Sequence, residues 1–212
     1  MANSAIINLR VVDHQVAGPP HPDDLEKVAA PLTSTLTAEL DGAQRYLDVP
    51  AEEILLAAIT RTIARTIGDT DLAVDVDAGG KCTVVVACMS ARNASATEVL
   101  RAVHRSLAAA YHHVATPSAP PSDVLFSYSR TVSGPVPHEV LPPHEVLPSK
   151  GHVLEVRVHR ANDLVQMDWW YDTRRLDRHT VEEMTEQFPL ALIDLTSDAV
   201  PPIRESVNLA MA

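Results

Sequence analysis

The sequence has no excess of basic residues and no long hydrophobic run, and both shortages exclude classes of partner. Its 212 residues include 28 acidic and 17 basic ones, which gives a formal net charge of -11. Nucleic-acid binding requires a basic face that displaces counterions, so we expect no nucleic acid as partner. A polybasic patch is also absent, and the apolar runs are far shorter than the ~20 residues that span a bilayer, so we expect no membrane.

Cysteine is scarce, and this restricts both disulfide and metal chemistry. Cys82 and Cys88 lie six positions apart in an apolar segment typical of a strand. At ~3.3 Å per residue their Cα atoms would be roughly 20 Å apart, whereas a disulfide requires ~7 Å or less, so we expect two small buried hydrophobic residues. No cysteine or histidine spacing is typical of a metal site, and no cofactor is expected. Residues 1–10 also lack the pattern of a signal peptide, which favours a cytoplasmic location.

Glycine is rare, at 7 residues, whereas the 16 prolines form clusters that mark irregular segments. The hydrophobic fraction of 46% and the charged fraction of 21% are typical of a folded globular chain, and the length fits one domain. We therefore predict a single unit over 1–212, with a core over about 31–196, a Pro-rich loop over about 133–151 and an irregular tail over 198–212.

The Pro-rich loop contains the sequence Pro-His-Glu-Val-Leu-Pro twice, at 137–142 and 143–148. Proline pairs poorly in a sheet, so the segment is predicted to lie outside regular structure. Two interpretations remain open: a tolerated duplication in a surface loop, or a docking motif that binds a partner's groove twice. His138 and His144 have side chains that bind metals, although nothing in the sequence fixes them in place.

Hydrophobic periodicity and capping residues predict strands that alternate with helices. The predicted strands are 5–12, 72–77, 83–89, 124–129, 153–159 and 164–171. The predicted helices are one from Pro22 to Pro31, one capped by Thr37 and ending near Leu47, one from Pro50 to Gly68, one that begins at a capping box of Ser95 and Glu98, and one capped by Asp177 and kinked at Pro189. Helices between strands, together with an antiparallel hairpin, predict an α/β fold class with a mixed sheet.

Two of these elements carry predictions about burial. In the helix that ends at Gly68 the apolar residues share one face at helical spacing, so Arg61 and Arg65 are expected to point away from the core. The run 83–89 is continuously apolar, which is typical of a strand that is buried on both faces.

The predicted hairpin places a set of polar residues on the face opposite its apolar core. That set is Glu155, Arg157, His159, Gln166, Asp168 and Trp170. A strand face that mixes tryptophan with charged residues is either plain solvent-exposed surface or an interface or ligand-cleft wall, and the sequence leaves both open. Asp75 and Asp77 likewise share one face of a predicted strand, where they form either a solvated face or an acid/base pair.

Several segments, taken in their order and spacing, are similar to one known family. They are Thr35-Leu-Thr-Ala-Glu-Leu, Asp48 to Gly68 followed by Asp71-Leu-Ala-Val, Asp123-Val-Leu-Phe-Ser-Tyr, Tyr171-Asp172, and Leu176-Asp177 with the helix after it. Over about 31–196 the chain resembles the C-terminal lobe of the condensation and epimerization domains of nonribosomal peptide synthetases. Those domains consist of two lobes, each like chloramphenicol acetyltransferase, with a cleft between them. The resemblance implies a single lobe of that fold.

The catalytic motif of that family, His-His-x-x-x-Asp-Gly, belongs to the N-terminal lobe and does not occur in this sequence. The His112-His113 pair continues Val-Ala-Thr-Pro-Ser, at the predicted end of a helix where a positive charge is favoured in any case. The resemblance therefore implies a stand-alone, catalytically degenerate half that acts as a binding or assembly module in nonribosomal peptide or acyl-conjugate biosynthesis. Its expected partners are further copies of itself, a separate catalytic lobe or a carrier protein.

Two other functions remain open at this point. A small acyltransferase would form its active site between the subunits of a homo-oligomer, with His113 or His159 as general base, because imidazole titrates near neutral pH. A scaffold would recruit its partner through the duplicated segment 137–148. The first alternative makes the chain an enzyme, whereas the fold by itself implies no activity.

Overall fold

The computed structural model of the protein describes residues 11–78, 81–111, 122–129, 148 and 151–203. In these residues six strands form one sheet and four helices pack against it. The strands are β1 (Leu25–Ala29), β2 (Thr70–Asp77), β3 (Lys81–Cys88), β4 (Val124–Ser129), β5 (Leu154–Ala161) and β6 (Leu164–Asp172). The helices are α1 (Ser34–Leu47), α2 (Ala51–Thr66), α3 (Ala96–Tyr111) and α4 (Arg178–Asp198).

The sheet combines parallel and antiparallel pairs in the order β1-β6-β5-β4-β2-β3. The central strand β4 runs parallel to both of its neighbours, β2 and β5. The outer pairs, β1 with β6, β5 with β6, and β2 with β3, are antiparallel. This arrangement confirms the predicted α/β class with a mixed sheet.

The hydrophobic core lies between the helices and one side of the sheet. Alternate strand residues point to opposite faces, and the apolar set on one face, with Val74, Phe126 and Val156 among it, is fully buried. On the same face the Trp169 ring meets Phe188 of α4 edge-on, with ring centroids 5.9 Å apart. We call this side of the sheet the helix face and the opposite side the polar face. No helix in the described part of the chain is long and apolar enough to cross a membrane.

Several local predictions are confirmed. The backbone N–H of Ser95 donates to Glu98 Oε2 at 2.8 Å, and the N–H of Glu98 donates to Ser95 Oγ at 3.3 Å, so the capping box begins α3 as expected. The helix after Pro50 and the hairpin of β5 and β6 also lie where they were predicted. Cys82 and Cys88 are buried, unpaired thiols.

Residues 22–31 do not form the predicted helix. A short 3-10 turn covers Pro22–Asp24, and β1 then pairs with the outer edge of β6. The acidic residues after the proline suit the start of a helix, but the backbone hydrogen bonds offered by β6 outweigh this weak local preference. The strand predicted at 5–12 lies outside the described residues except for Val11 and Val12, which are not in a strand.

The cap of α1 is Thr33, not Thr37. The Thr33 hydroxyl accepts a hydrogen bond from the backbone N–H of Leu36 at 3.2 Å, so the helix begins one turn earlier than predicted. Thr37 is buried within the helix, where its hydroxyl oxygen accepts from the N–H of Val165 at 3.3 Å.

Arg61 does not point away from the core. Its side chain is 0% exposed, because α2 packs against α1, α3, α4 and β3 and no side of this turn reaches solvent. The guanidinium donates to the carbonyl oxygens of Met89 at 2.7 Å and Ala94 at 2.9 Å, and it lies 3.1 Å from Asp194 of α4. The periodicity predicts that α2 buries one face, but α2 is buried on nearly all sides.

The strand β3 is not buried on both faces. It lies at the edge of the sheet, and its burial alternates, with Val84 on the helix face and Val85 61% exposed. A continuous apolar run fits a central strand, but position in the sheet decides burial, and β2 occupies the inner place.

The last helix keeps the predicted inward residues. Val181, Met184, Phe188 and Leu192 are buried. The helix is continuous through Pro189, and the kink expected there stays a prediction. Asp177 occupies the cap position without a side-chain cap bond, and its carboxylate contacts His14 at 3.1 Å instead. Most of the loop predicted over 133–151, and the end of the tail after Ile203, lie outside the described residues.

Candidate functional site

The polar face carries one row of side chains that crosses all six strands. The register places them side by side in the order Thr83, Asp75, Leu125, Glu155, Trp170 and Lys27, from β3 at one edge to β1 at the other. In the neighbouring rows Arg157 lies opposite Asp168, and His159 lies opposite Gln166. The six hairpin residues therefore share one face, as the sequence predicts.

These hairpin residues do not form a plain solvent-exposed surface. Glu155 is 2% exposed and Trp170 is 9% exposed, and Arg157, His159 and Asp168 are buried as well. Gln166 alone of the six is partly exposed. Burying charge is costly unless each group is paired, so the contacts between these side chains decide what the face can do.

His152, which lies two residues before β5, is the centre of these contacts and did not stand out in the sequence. Its ring is fully buried, with Nε2 3.0 Å from Asp75 Oδ2 and Nδ1 3.1 Å from Glu155 Oε1. A carboxylate oxygen only accepts hydrogen bonds, so both ring nitrogens must carry protons to satisfy this geometry. His152 is therefore an imidazolium between two carboxylates.

The pKa values around His152 shift in the directions that this arrangement requires. Burial by itself would lower the pKa of His152, but the hydrogen bonds and charges of Asp75 and Glu155 outweigh it, and the pKa is raised. Burial opposes ionisation of Asp75, yet hydrogen bonds from His152, Thr83 and Ser122 lower its pKa to about 2. The pKa of Glu155 is also lowered despite burial, by His152 and Arg157.

The charges continue from Glu155 to the far edge of the sheet. Arg157 donates to Glu155 Oε2 from Nη2 at 2.6 Å and from Nε at 3.1 Å. Its guanidinium carbon lies 5.7 Å from the centroid of the Trp170 ring, and Lys27 Nζ lies 5.4 Å from the same centroid. Lys27 also lies 3.4 Å from Asp168. On this part of the described face the carboxylates of Asp75, Glu155 and Asp168 are thus balanced by three cations. These are His152, Arg157 and Lys27.

An open cavity of about 110 Å³ adjoins this row at the β2–β3 end, with Asp75, Asp77, Lys81, Thr83 and Leu125 in its lining. Asp75 accepts from Thr83 Oγ1 at 2.6 Å and is paired with His152, whereas Asp77 lies 3.4 Å from Lys81. Each carboxylate therefore has its own cation. The two do not share a proton, and the acid/base pair considered for them has no support in this geometry.

The Tyr171-Asp172 step, which carries part of the family resemblance, has a structural role in this chain. Asp172 is fully buried and accepts from the backbone N–H of Arg174 at 3.0 Å and from its guanidinium at 2.9 and 2.8 Å. The neighbouring Arg175 carbonyl accepts from the N–H groups of Asp13 and His14 at 2.8 and 3.0 Å. The step thus fixes the turn after β6 and the described N-terminal segment to each other.

The other candidate residues of the sequence are not brought together by the described structure. His112, His113, His138 and His144 lie outside the described residues, as does nearly all of the duplicated segment. Within the part of the chain that the structure describes, no group of three His, Cys, Asp or Glu side chains could hold a metal ion. No local pattern in the sequence could reveal the pairing of His152 with Asp75, because the two residues are 77 positions apart.

Comparison with known proteins finds similarity in sequence to a polyketide synthase subunit and in structure to a synthetase domain. No protein-family model matches the chain. It is 32% identical, over 227 aligned positions, to a phenolphthiocerol/phthiocerol polyketide synthase subunit of Mycobacterium tuberculosis, and the alignment covers 87% of this chain. The corresponding protein of Mycobacterium bovis matches equally well. The chain spans only 15% of the length of these curated relatives.

Two solved structures show which fold this is. The epimerization domain from the third module of tyrocidine synthetase B matches with a TM-score of 0.70 at 10% identity, over 92% of this chain and 53% of that one. A complex of the X-domain and OxyB from teicoplanin biosynthesis matches with a TM-score of 0.65 at 16% identity, over 92% of this chain and 50% of that one. The chain therefore has the chloramphenicol-acetyltransferase-like fold of one half of a nonribosomal peptide synthetase epimerization or condensation domain.

Proposed function

We propose that this chain is the non-catalytic half of a condensation-type domain, and that it acts as a binding and assembly module in nonribosomal peptide or polyketide biosynthesis. The observation that carries the proposal is the extent of the structural match. It covers 92% of this chain but only 53% of the tyrocidine epimerization domain. A half-domain of this kind has a surface that packs on its other half, and such surfaces are rarely left bare.

The biosynthetic setting rests on the sequence relative. A protein 32% identical over 87% of this chain is part of a polyketide synthase, and the structural relatives come from peptide synthetases. The chain corresponds to 15% of that relative, so the reactions of the whole relative are not assigned to it. What we carry over is the class of pathway, in which acyl or peptidyl groups are handed between domains.

The chemistry of the polar face supports a non-catalytic role. His152 donates a hydrogen bond from both ring nitrogens, and an imidazolium has no lone pair with which to accept a proton, so it is not poised as a general base. Asp75, Glu155 and Asp168 are held in ion pairs. The His-His-x-x-x-Asp-Gly motif does not occur in the 212 residues.

The binding role has a precedent in the same fold. The X-domain of teicoplanin biosynthesis was solved as a complex with OxyB, so one domain of this architecture associates with another protein. At 16% identity this precedent concerns the fold alone, and it does not identify the partner of the present chain. We expect that partner to be a further copy of the chain, a separately encoded catalytic half or a carrier protein.

The binding role is tested by light scattering on a sizing column over a dilution series, followed by titration with a carrier-protein domain. The expected result is a mass of two or more times 23.0 kDa, or saturable binding of the carrier protein. A 23.0 kDa monomer at every concentration that also fails to bind a carrier protein would contradict the assembly role. A variant that lacks residues 137–148 distinguishes the scaffold alternative from the assembly role. Only a scaffold that binds through the duplicated segment loses its partner when these residues are deleted.

The absence of catalysis is tested with an acyl thioester and an amine or alcohol acceptor. We expect no transfer above the buffer rate by the wild-type chain, at any concentration at which it self-associates. Transfer that is lost in His113→Ala or His159→Ala, while the variants keep the wild-type circular dichroism spectrum and mass, would overturn the non-catalytic role in favour of an acyltransferase. His104→Ala is a suitable control, since His104 lies on α3, away from the polar face.

A further inference from the structure

Four residues on the polar face form a clasp at the end of the sheet where the inner strands β4 and β5 begin. They are Asp75, His152, Glu155 and Arg157, and we call them the imidazolium clasp. Asp75 also binds Ser122 at the start of β4: the N–H of Ser122 donates to Asp75 Oδ2 at 3.2 Å, and the N–H of Asp75 donates to Ser122 Oγ at 2.9 Å. The clasp thus joins β2 to the residues just before β4, its neighbour in the sheet, and just before β5, the next strand along.

We propose that the imidazolium clasp is a pH-sensitive lock, in which protonated His152 fastens the starts of β4 and β5 to β2, and loss of its second proton loosens this end of the sheet while the helix face stays packed. This inference goes beyond the proposed function and does not depend on it. It rests on the two-sided geometry of His152 and on the complete burial of its ring.

Loss of the proton is costly because His152 has a carboxylate on each side. A neutral imidazole keeps one N–H, so the other ring nitrogen then turns a lone pair toward a carboxylate oxygen about 3 Å away. That carboxylate also loses its compensating charge, which is strongly destabilising where the carboxylate is buried, as that of Glu155 is. A histidine with a single acidic neighbour avoids this conflict by a change of tautomer.

The charged groups around His152 come from two strands. Asp75 faces it from β2, while Glu155, with Arg157 behind it, faces it from β5. The neighbours contributed by β3 and by the start of β4, Thr83 and Ser122, are neutral hydroxyl groups that bind Asp75. Among the described residues the clasp is therefore neutral with His152 protonated and carries one net negative charge without that proton.

The sign of the pH dependence follows from the pKa directions. The pKa of His152 is raised on folding, so its contribution to stability is complete below the ordinary histidine value of about 6.5 and is lost as pH rises through the raised value. The pKa values of Asp75 and Glu155 are lowered, so their contributions are complete above the ordinary carboxyl values and are lost in acid. The clasp is complete between about pH 4.5 and pH 6.5.

The experiment compares hydrogen exchange of the wild type, His152→Gln and His104→Gln between pH 6 and pH 9. His104 is a matched control, because it has one carboxylate partner, Glu53 at 2.9 Å, and lies on the helix face. After correction for intrinsic exchange, we expect the opening constant of amides in 122–129 and 152–158 to rise about tenfold in the wild type and in His104→Gln. In His152→Gln it should change by less than about twofold, from a value already raised at pH 6.

The ring itself supplies an independent test. Nitrogen NMR of the wild type at pH 6 should show both ring nitrogens of His152 protonated, and its titration midpoint should lie above that of an exposed histidine. A midpoint at or below the ordinary value, or an unchanged pH dependence of exchange in His152→Gln, would overturn the proposal. Should His152→Gln fail to fold, Asp75→Asn replaces it, and the midpoint of His152 must then fall.

Discussion

At the scale of single residues, two buried cations on opposite faces of the sheet stabilise the protein in different ways. Arg61, on the helix face, ties α2 to the segment after β3 and to α4 through two backbone carbonyls and Asp194. The partners of His152, on the polar face of the described structure, are the carboxylates of Asp75 and Glu155. An arginine stays protonated throughout the accessible pH range, whereas a histidine does not, so only the polar-face cation responds to pH.

Removal of Arg61 should therefore be destabilising at every pH. Arg61→Ala leaves two carbonyls without a donor and Asp194 without its nearest cation, and we expect a loss of about 3–5 kcal/mol in the free energy of unfolding, measured with urea. Arg65→Ala is the matched control, because Arg65 contacts the same Asp194 at 3.8 Å from a partly exposed position and should cost less than about 1 kcal/mol. Equal losses in the two variants would contradict the assigned role of Arg61.

Asp75 affects how the stability of the protein depends on pH in acid. Its pKa of about 2 lies below its ordinary value, so its contribution to stability is present above about pH 4 and is lost as pH falls toward 2. In Asp75→Asn the fall of the unfolding free energy between pH 5 and pH 2 should be smaller by up to about 2 kcal/mol. Asp77→Asn should keep the wild-type slope, since the ion pair that the described structure gives Asp77 is with the exposed Lys81. An unchanged slope in Asp75→Asn would show that the carboxylate is not held as described.

At the scale of elements, the position of a strand in the sheet decides more than its composition. The strand β3 contains a continuous apolar run, whereas β5 alternates apolar and polar residues, yet β3 is an edge strand and β5 an inner one. On β5 even Glu155 and Arg157 are buried, whereas on β3 the apolar Val85 is exposed. Burial therefore follows from what lies on either side of a strand, and this is a property of the sheet.

The alternation along β3 is directly testable with one conservative change at adjacent positions. Valine and threonine have nearly the same shape, so Val→Thr chiefly introduces a hydroxyl. Val84→Thr places that hydroxyl in the core and should cost about 1–3 kcal/mol of unfolding free energy, whereas Val85→Thr on the exposed side should change it by less than about 0.5 kcal/mol. Comparable losses at both positions would mean that β3 is covered on both faces.

At the scale of the whole molecule, the two sides of the sheet have different tasks. The helix face holds a continuous apolar core, which accounts for folding. On β5 and β6 the polar face is buried but charged, and an arrangement of paired buried charges is a weak source of stability compared with apolar packing. The clasp proposed at the start of β4 and β5 gives this face a second role, since it makes local order depend on pH.

The whole molecule is also the scale at which the proposed function is decided. A fold that matches half of an epimerization domain supports assembly with a second half, and measurements of solution mass and of thioester transfer distinguish that role from an acyltransferase. The pH dependence of the clasp is a property of the chain on its own. Failure of the exchange experiment would leave the assembly role unaffected. Failure of the binding experiments would likewise leave the pH dependence of the clasp unaffected.

Sequence by itself determined the types of most elements and one face of the site. Periodicity and capping located α2, α3, α4 and the β5–β6 hairpin, and the strict alternation of the hairpin placed its polar residues together. The acidic composition and the absence of the family's catalytic motif fixed what the chain is not expected to bind or catalyse. These features depend on residues close together in the chain, which is why they can be read from it.

Only the tertiary structure decided the rest, because the remaining contacts join residues that are far apart in the sequence. β1 is a strand because β6 offers a free edge, and Arg61 is buried because other elements surround its helix. His152 becomes an imidazolium because the parallel β2–β4–β5 order brings Asp75 within 3.0 Å of it. Charge pairing across a sheet depends on strand order and register, and neither is encoded in the local pattern of a single strand.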